Sequence, residues 1–142
     1  MRIDPHFANT ALFCREYGYD MEASANCILV ASKTGERTYV ACLVPATRRL
    51  DVNGTVRRLM GVRKASFAAP EDAVALTGML PDGVTPFGLP EDVPVFVDEQ
   101  LLQFERVIVG GASRSLKLEV ATEVFSRMPA AQIVAGLSKP VT

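Results

Sequence analysis

The chain has 142 residues, 49% of them apolar and 22% charged, with a formal net charge of -1 at pH 7. That length fits one domain, residues 1–142, large enough to bury a core, and the composition is that of a globular protein rather than a disordered or fibrous one. No apolar run reaches the ~20 residues of a membrane-spanning helix, Met1-Arg2-Ile3-Asp4-Pro5 lacks a signal-peptide core, and three cysteines make neither a disulfide framework nor a metal knuckle, so the reducing cytoplasm is the expected home.

In chain order, a helix is expected over about residues 7–17, with Ala8, Ala11, Leu12 and Phe13 inward and Gly18 as its stop. Asn26-Cys27-Ile28-Leu29-Val30-Ala31 reads as a strand, and Lys33-Thr34-Gly35-Glu36-Arg37 as a turn. Thr38-Tyr39-Val40-Ala41-Cys42-Leu43-Val44 then returns as the partner in an antiparallel hairpin. Asp51 or Asn53 can cap a short helix carrying Val56, Leu59 and Met60, closed by Gly61. Residues 63–67 read as a short strand. Pro70-Glu71-Asp72 opens a helix, with proline in its first turn and acids near the positive end of the dipole, and Gly78 ends it.

Further strands are expected over 93–97 and 106–109, a sharp turn at Gly110-Gly111-Ala112-Ser113-Arg114, and an extended run over 116–120. A short helix over 121–127 and a strand over 132–135 complete the reading. Strands that cluster in hairpins, rather than alternating strictly with helices, point to the α+β class with a mixed, mostly antiparallel sheet.

Asp82-Gly83-Val84-Thr85-Pro86-Phe87-Gly88-Leu89-Pro90 is the most informative stretch, because glycine permits positive φ or close approach while proline fixes φ and removes a donor. Such a loop is stiff. It either connects two elements tightly or forms a pocket wall that reads a small group with backbone amides. Charge is unevenly placed: Arg48, Arg49, Arg57, Arg58, Arg63 and Lys64 face only Asp51, whereas residues 71–99 carry acids and no base. The basic segment suits either phosphates or a plain solvated face.

Absences narrow the chemistry. The single histidine, His6, lies near the terminus, and Cys27 and Cys42 sit inside strand-like runs as small hydrophobes rather than nucleophiles. Gly83 and Gly88 have the spacing of a phosphate loop without its following Lys-Ser/Thr. No metal or other cofactor is called for, nor DNA, nor a membrane. Asp98 caps the next turn or orients a pocket loop, Thr85 offers a hydroxyl to a ligand or holds its own turn, and Ser113, Arg114 and Lys117 flank the second turn within reach of a phosphate.

Taken in order from Asn26 to Val134, these pieces resemble the YbaK-like family, which includes the editing insertion domain of bacterial prolyl-tRNA synthetases and free-standing aminoacyl-tRNA deacylases. The most specific parts are Gly83-Val84-Thr85-Pro86-Phe87-Gly88-Leu89-Pro90, then Pro94-Val95-Phe96-Val97-Asp98, then Val107-Ile108-Val109-Gly110-Gly111. The resemblance implies a barrel-like sheet flanked by short helices and a pocket for the aminoacyl end of a tRNA. It places Asn26, Gly83 and Asp98 in catalytic roles. Val84, Thr85, Pro86, Phe87 and Gly88, with Gly110, Gly111, Ser113 and Lys117, would bind the substrate, and the six basic residues above would contact tRNA.

The implied chemistry is hydrolysis of the ester of a mischarged tRNA, of the tRNA-Pro type, with an aminoacyl-tRNA synthetase as a further possible partner. The ester is already activated, so positioning and backbone polarisation suffice without a protein nucleophile. The family's known editing members carry a lysine where this chain has Asn26, which keeps hydrogen bonding but no charge. That exchange leaves open a catalytically silent binding module of the same fold, or a pocket for another small acyl or nucleotide ligand. The start is shorter than the family's, and an open sheet edge there would favour a homodimer.

Overall fold

A computed structural model describes residues 1–79 and 83–141; Asp82, the first residue of the glycine- and proline-rich loop, lies outside them. In chain order the elements are α1 (Thr10–Tyr17), β1 (Ala25–Ser32), β2 (Tyr39–Pro45), β3 (Arg48–Leu50), α2 (Arg57–Met60), β4 (Ala65–Phe67) and α3 (Pro70–Thr77). They continue with β5 (Val95–Asp98), β6 (Arg106–Gly110), β7 (Lys117–Ala121), α4 (Val124–Arg127), β8 (Ala131–Val134) and β9 (Ser138–Pro140).

The main sheet runs β4-β1-β2-β5-β8. It is antiparallel from β4 to β2 and parallel from β2 to β8. Two antiparallel ribbons, β3–β9 and β6–β7, complete a mixed, mostly antiparallel α+β fold with short helices, as the sequence predicts. The hairpin register runs from Ala25 opposite Pro45 to Ala31 opposite Tyr39.

The apolar runs of the central strands are continuous because both faces of the sheet are covered. Leu29, Ala41, Leu43, Val95 and Val97 point to one core, closed by Val107 and Val109 of β6 and by Phe125. Val30, Val40, Cys42, Val44 and Phe96 alternate to the other face and meet Leu50, Val56 and Leu137. Each fully buried Val, Leu or Phe is worth roughly 1.5–3 kcal/mol of transfer free energy, so these two layers fix the register of the sheet. A third, smaller cluster (Ile3, Phe13, Cys14 and Ile108) seats α1 on β6, and the Ser24–Ile108 bridge brings β6 beside the start of β1.

Several local expectations are corrected. The first helix does not begin at residue 7: Pro5–Phe7 is a separate 3-10 turn, and Asn9 caps α1 by accepting from the N–H groups of Ala11 and Leu12. Phe13 and Cys14 are its buried residues, while Ala11 is exposed. Asp51 is the cap of the next helical segment, whose first turn, Val52–Val56, is π-helical; Leu59 of α2 faces solvent instead of the core. The strand expected over residues 63–67 begins only at Ala65. No helix among the described residues is long and apolar enough to cross a membrane.

Candidate functional site

A cavity of about 340 Å³ opens where the start of α1 faces β1 and the junction of β6 and β7. Asn9 and Thr10 come from the helix start, Asn26 and Cys27 from β1, Val84 from the glycine- and proline-rich loop, and Gly110 and Lys117 from the ribbon. Four residues singled out in the sequence thus share one wall: Asn26, Val84, Gly110 and Lys117. The Asn9 cap fixes where α1 begins and therefore where Thr10 stands. Thr10 donates its hydroxyl to Asn26 Oδ1 at 2.7 Å, tying the helix start to β1.

Lys117 lies opposite Gly110 in the β6–β7 register. It is only 4% exposed, and its Nζ sits 5.6 Å from the centroid of the Phe13 ring. That ring lies in a stack with Tyr17 and Tyr19, so the lysine meets the face of an aromatic cluster. Its backbone is held by Met1: the Lys117 N–H donates to the Met1 carbonyl at 2.9 Å, and the Met1 amino group donates back to the Lys117 carbonyl at 2.8 Å.

Two glycines set how closely the pocket walls meet. A Cβ on Gly83 would lie 2.7 Å from the carbonyl carbon and oxygen of Ser113, and one on Gly110 would lie 2.5 Å from the Val84 carbonyl oxygen. The Ala112 N–H closes the contact by donating to the Gly83 carbonyl at 2.6 Å. Gly83 is therefore pressed against the chain's own backbone, and the left-handed residue of the loop is Gly88, at φ 73°. Ala112 is itself held at φ 77°, a conformation that an alanine adopts only at a cost.

The rest of the loop points elsewhere. Pro86 and Gly88 line a second depression with Leu89, Pro90, Met128 and Pro129, of about 490 Å³. Phe87 stacks on Phe125 at 6.3 Å and 10°, anchoring the loop to the first core. Thr85 is buried, and its hydroxyl has no hydrogen-bond partner among the described residues. Gly111 packs against Leu116, while Ser113 holds its own turn by accepting from the Ser115 N–H at 3.3 Å.

Asp98 does not border the cavity. It is fully buried at the end of β5, where it accepts from the Gln100 N–H at 3.0 Å and from the Ser138 hydroxyl. Arg48 reaches the same serine, donating from Nε to Ser138 Oγ at 2.8 Å and from Nη2 to its carbonyl at 3.0 Å. These groups lock β5, β3 and β9 together. Arg49 is exposed on β3, and Arg63 and Lys64 are exposed just before β4. Arg57 and Arg58 turn back on their own helix, donating to the carbonyls of Asn53 and Gly54.

Burial pushes the Cys27 thiol up to about 12; burial first, then the neighbouring Cys27, also raises the Cys42 thiol well above its usual range. The two cysteines pack into opposite cores. A neutral thiol is a poor nucleophile, so Cys27 enters the pocket as a wall rather than as a reagent. Sequence reasoning missed Asn9, Thr10 and Met21 in this wall, since α1 and the 3-10 turn Met21–Ala23 approach β1 only through tertiary packing.

The fold is α+β, with a cavity where the start of α1 meets β1 and the β6–β7 ribbon. Residues 4–128 match the family described as the aminoacyl-tRNA editing domain, and the chain belongs to that family. A candidate Cys-tRNA(Pro)/Cys-tRNA(Cys) deacylase, EbsC of Enterococcus faecalis, is 26% identical over 98 residues. The match covers 69% of this chain and 57% of EbsC, so the chain spans less than two thirds of that relative's length.

A crystal structure of a candidate trans-editing enzyme for prolyl tRNA synthetase shares the fold, with a TM-score of 0.84 at 22% identity, over 98% of this chain and 85% of that one. A second, of a hypothetical protein, has a TM-score of 0.82 at 26% identity, over 93% of this chain and 85% of its own.

Proposed function

We propose that this chain is a trans-editing aminoacyl-tRNA deacylase that hydrolyses the ester of a mischarged tRNA in the cavity between α1, β1 and the β6–β7 ribbon. In this reaction water adds to the ester carbonyl and the bond to the ribose oxygen breaks. The products are the free amino acid and a tRNA with its terminal hydroxyl restored. The observation that carries the proposal is the convergence of Asn26, Val84, Gly110 and Lys117 on one cavity in a chain of the editing-domain family.

The described residues of the pocket supply positioning and polar groups but no activated nucleophile, which suits an ester that needs only orientation and carbonyl polarisation. Substrates of the tRNA-Pro type are favoured, since EbsC and the trans-editing structure both carry that tRNA or its synthetase in their names. Arg49, Arg57, Arg58, Arg63 and Lys64 would steer the tRNA body, and the reaction belongs in the cytoplasm.

The test is a panel of mischarged tRNAs, Cys-tRNA(Pro) among them, incubated with the protein while release of each amino acid is followed. Faster release for one or more pairs is expected; background rates for every pair would refute a deacylase. A second reading, a silent binding module, is favoured by Asn26, whose Oδ1 is already engaged by Thr10. It predicts binding of aminoacyl-tRNA without release. Asn26→Lys would then raise affinity, and Asn26→Ala would lower it.

A further inference from the structure

Phe67 is the one phenylalanine of seven that faces solvent, at 58% exposure. A lone exposed ring is ordinary on a protein surface, but the place of this one is not. β2 covers one edge of β1 along residues 25–31. The other edge is shared. β4 takes residues 30–32, and the Ala68 N–H reaches back to the Leu29 carbonyl at 2.9 Å. Residues 25–28 are left to line the cavity. Phe67 stands opposite Val30, on the same side of the sheet as Ile28, its diagonal neighbour at roughly 7–8 Å. The ring therefore stands beside the cavity's rim.

The charge around it suits a nucleic acid. Arg63 and Lys64 lead into β4, both are exposed, and neither makes an ion pair among the described residues. Of the acids that open α3 beyond the ring, Asp72 is paired with Arg37 at 3.6 Å, and exposed Glu71 turns phosphates toward the Arg63 side. A cavity of about 340 Å³ holds little more than an aminoacyl end, so the unpaired nucleotides before it must lie on the surface alongside. An aromatic face next to a cationic strand is how proteins hold single-stranded bases.

We infer that Phe67 is a stacking platform for an unpaired base of the tRNA 3′ end where it leaves the cavity along β4, with Arg63 and Lys64 meeting the adjoining phosphates. The choice of ligand rests on the deacylase reading. The inference concerns binding and not hydrolysis.

The experiment titrates the whole chain with a single-stranded RNA tetranucleotide, ACCA, and with versions in which one base at a time is removed. Loss of one particular base should weaken wild type about tenfold, and Phe67→Ala should weaken the intact RNA by a similar factor. In Phe67→Ala, removing that base should then cost nothing more. Phe67→Trp should keep the affinity, and Phe67→Leu should not. Phe67→Ala should leave the salt dependence of binding unchanged, whereas Arg63→Gln should lower its slope by about one. Thermal melts identify any variant that does not fold, and the comparison of RNAs on wild type stands without them.

No binding of the tetranucleotide by wild type would overturn the inference, as would folded Phe67→Ala within twofold of it. Full affinity in Phe67→Leu would make the ring a plain apolar cover and overturn stacking. A flattened salt slope in Phe67→Ala would do the same, by making the ring a support for the basic residues. A wild-type dimer in sedimentation that Phe67→Ala dissolves and the RNA does not would assign the ring to a second copy of the chain. RNA bound through Phe67 without release of amino acid from any mischarged tRNA would sink the deacylase reading alone; release that Phe67→Ala leaves at the wild-type kcat/KM would sink this inference alone.

Discussion

Gly83→Ala and Gly110→Ala probe the contact that sets the width of the pocket. An added methyl at Gly110 would sit 2.5 Å from the Val84 carbonyl oxygen and 2.9 Å from Gly83, while one at Gly83 would meet the Ser113 backbone at 2.7 Å. In both cases the obstacle is backbone, which cannot rotate away as a side chain can. The two segments must part by roughly an ångström, which costs about 1–3 kcal/mol in comparable overpacked sites. Against a total stability of about 5–15 kcal/mol, each variant should fold with a clearly lowered urea midpoint and an unchanged slope.

Because both methyls enter one contact, separating the segments for the first makes room for the second. The double variant should therefore lose less than the sum of the singles, a coupling of at least about 0.5 kcal/mol. Val84 and Gly110 also line the cavity, so substrate affinity should fall alongside stability. Single variants within about 0.5 kcal/mol of wild type, or losses that simply add, would show that the contact is looser than these distances imply.

Three further outcomes follow from local chemistry. Ala112→Gly should gain from a few tenths to about 1 kcal/mol in urea melts, because the residue at φ 77° no longer carries a Cβ and its N–H still reaches the Gly83 carbonyl; a loss would refute the strain argument. Burial pushes the Asp51 carboxyl up, but hydrogen bonds from the Thr55 hydroxyl and N–H, together with Lys139, outweigh it and hold the group below its usual value. Its folded value lies below its unfolded one, so its contribution is complete above pH ~4 and is lost as the pH falls through the folded value. Asp51→Ala should cost about 1 kcal/mol at neutral pH and flatten the acid limb of the stability curve, and a curve parallel to wild type would contradict this. Cys27→Ala should keep hydrolysis within about twofold, since a thiol that ionises only near 12 supplies no thiolate at neutral pH, and a loss of several orders of magnitude would make Cys27 a reagent after all.

What the sequence makes legible is what local pattern encodes. The β1–β2 hairpin shows itself because two apolar runs flank one polar turn, and α3 because Pro70 and Gly78 bracket it. β3 and β9 escape notice because Arg48-Arg49-Leu50 and Ser138-Lys139-Pro140 are three-residue strands with no periodicity; they pair only across the 90 residues that separate Arg48 from Ser138. The π-helical turn at Val52–Val56 has no sequence signature distinct from that of an α-helical start.

The site divides along the same line. Glycines 83 and 110 were visible as residues, but which backbone each one admits is a matter of tertiary approach, and for Gly83 it is Ser113. Likewise Lys117 could be placed on a strand, yet a strand offers two faces. Its pairing with Gly110, and the seating of α1 by Phe13 and Ile108, decide that it turns toward Asn26 rather than to solvent.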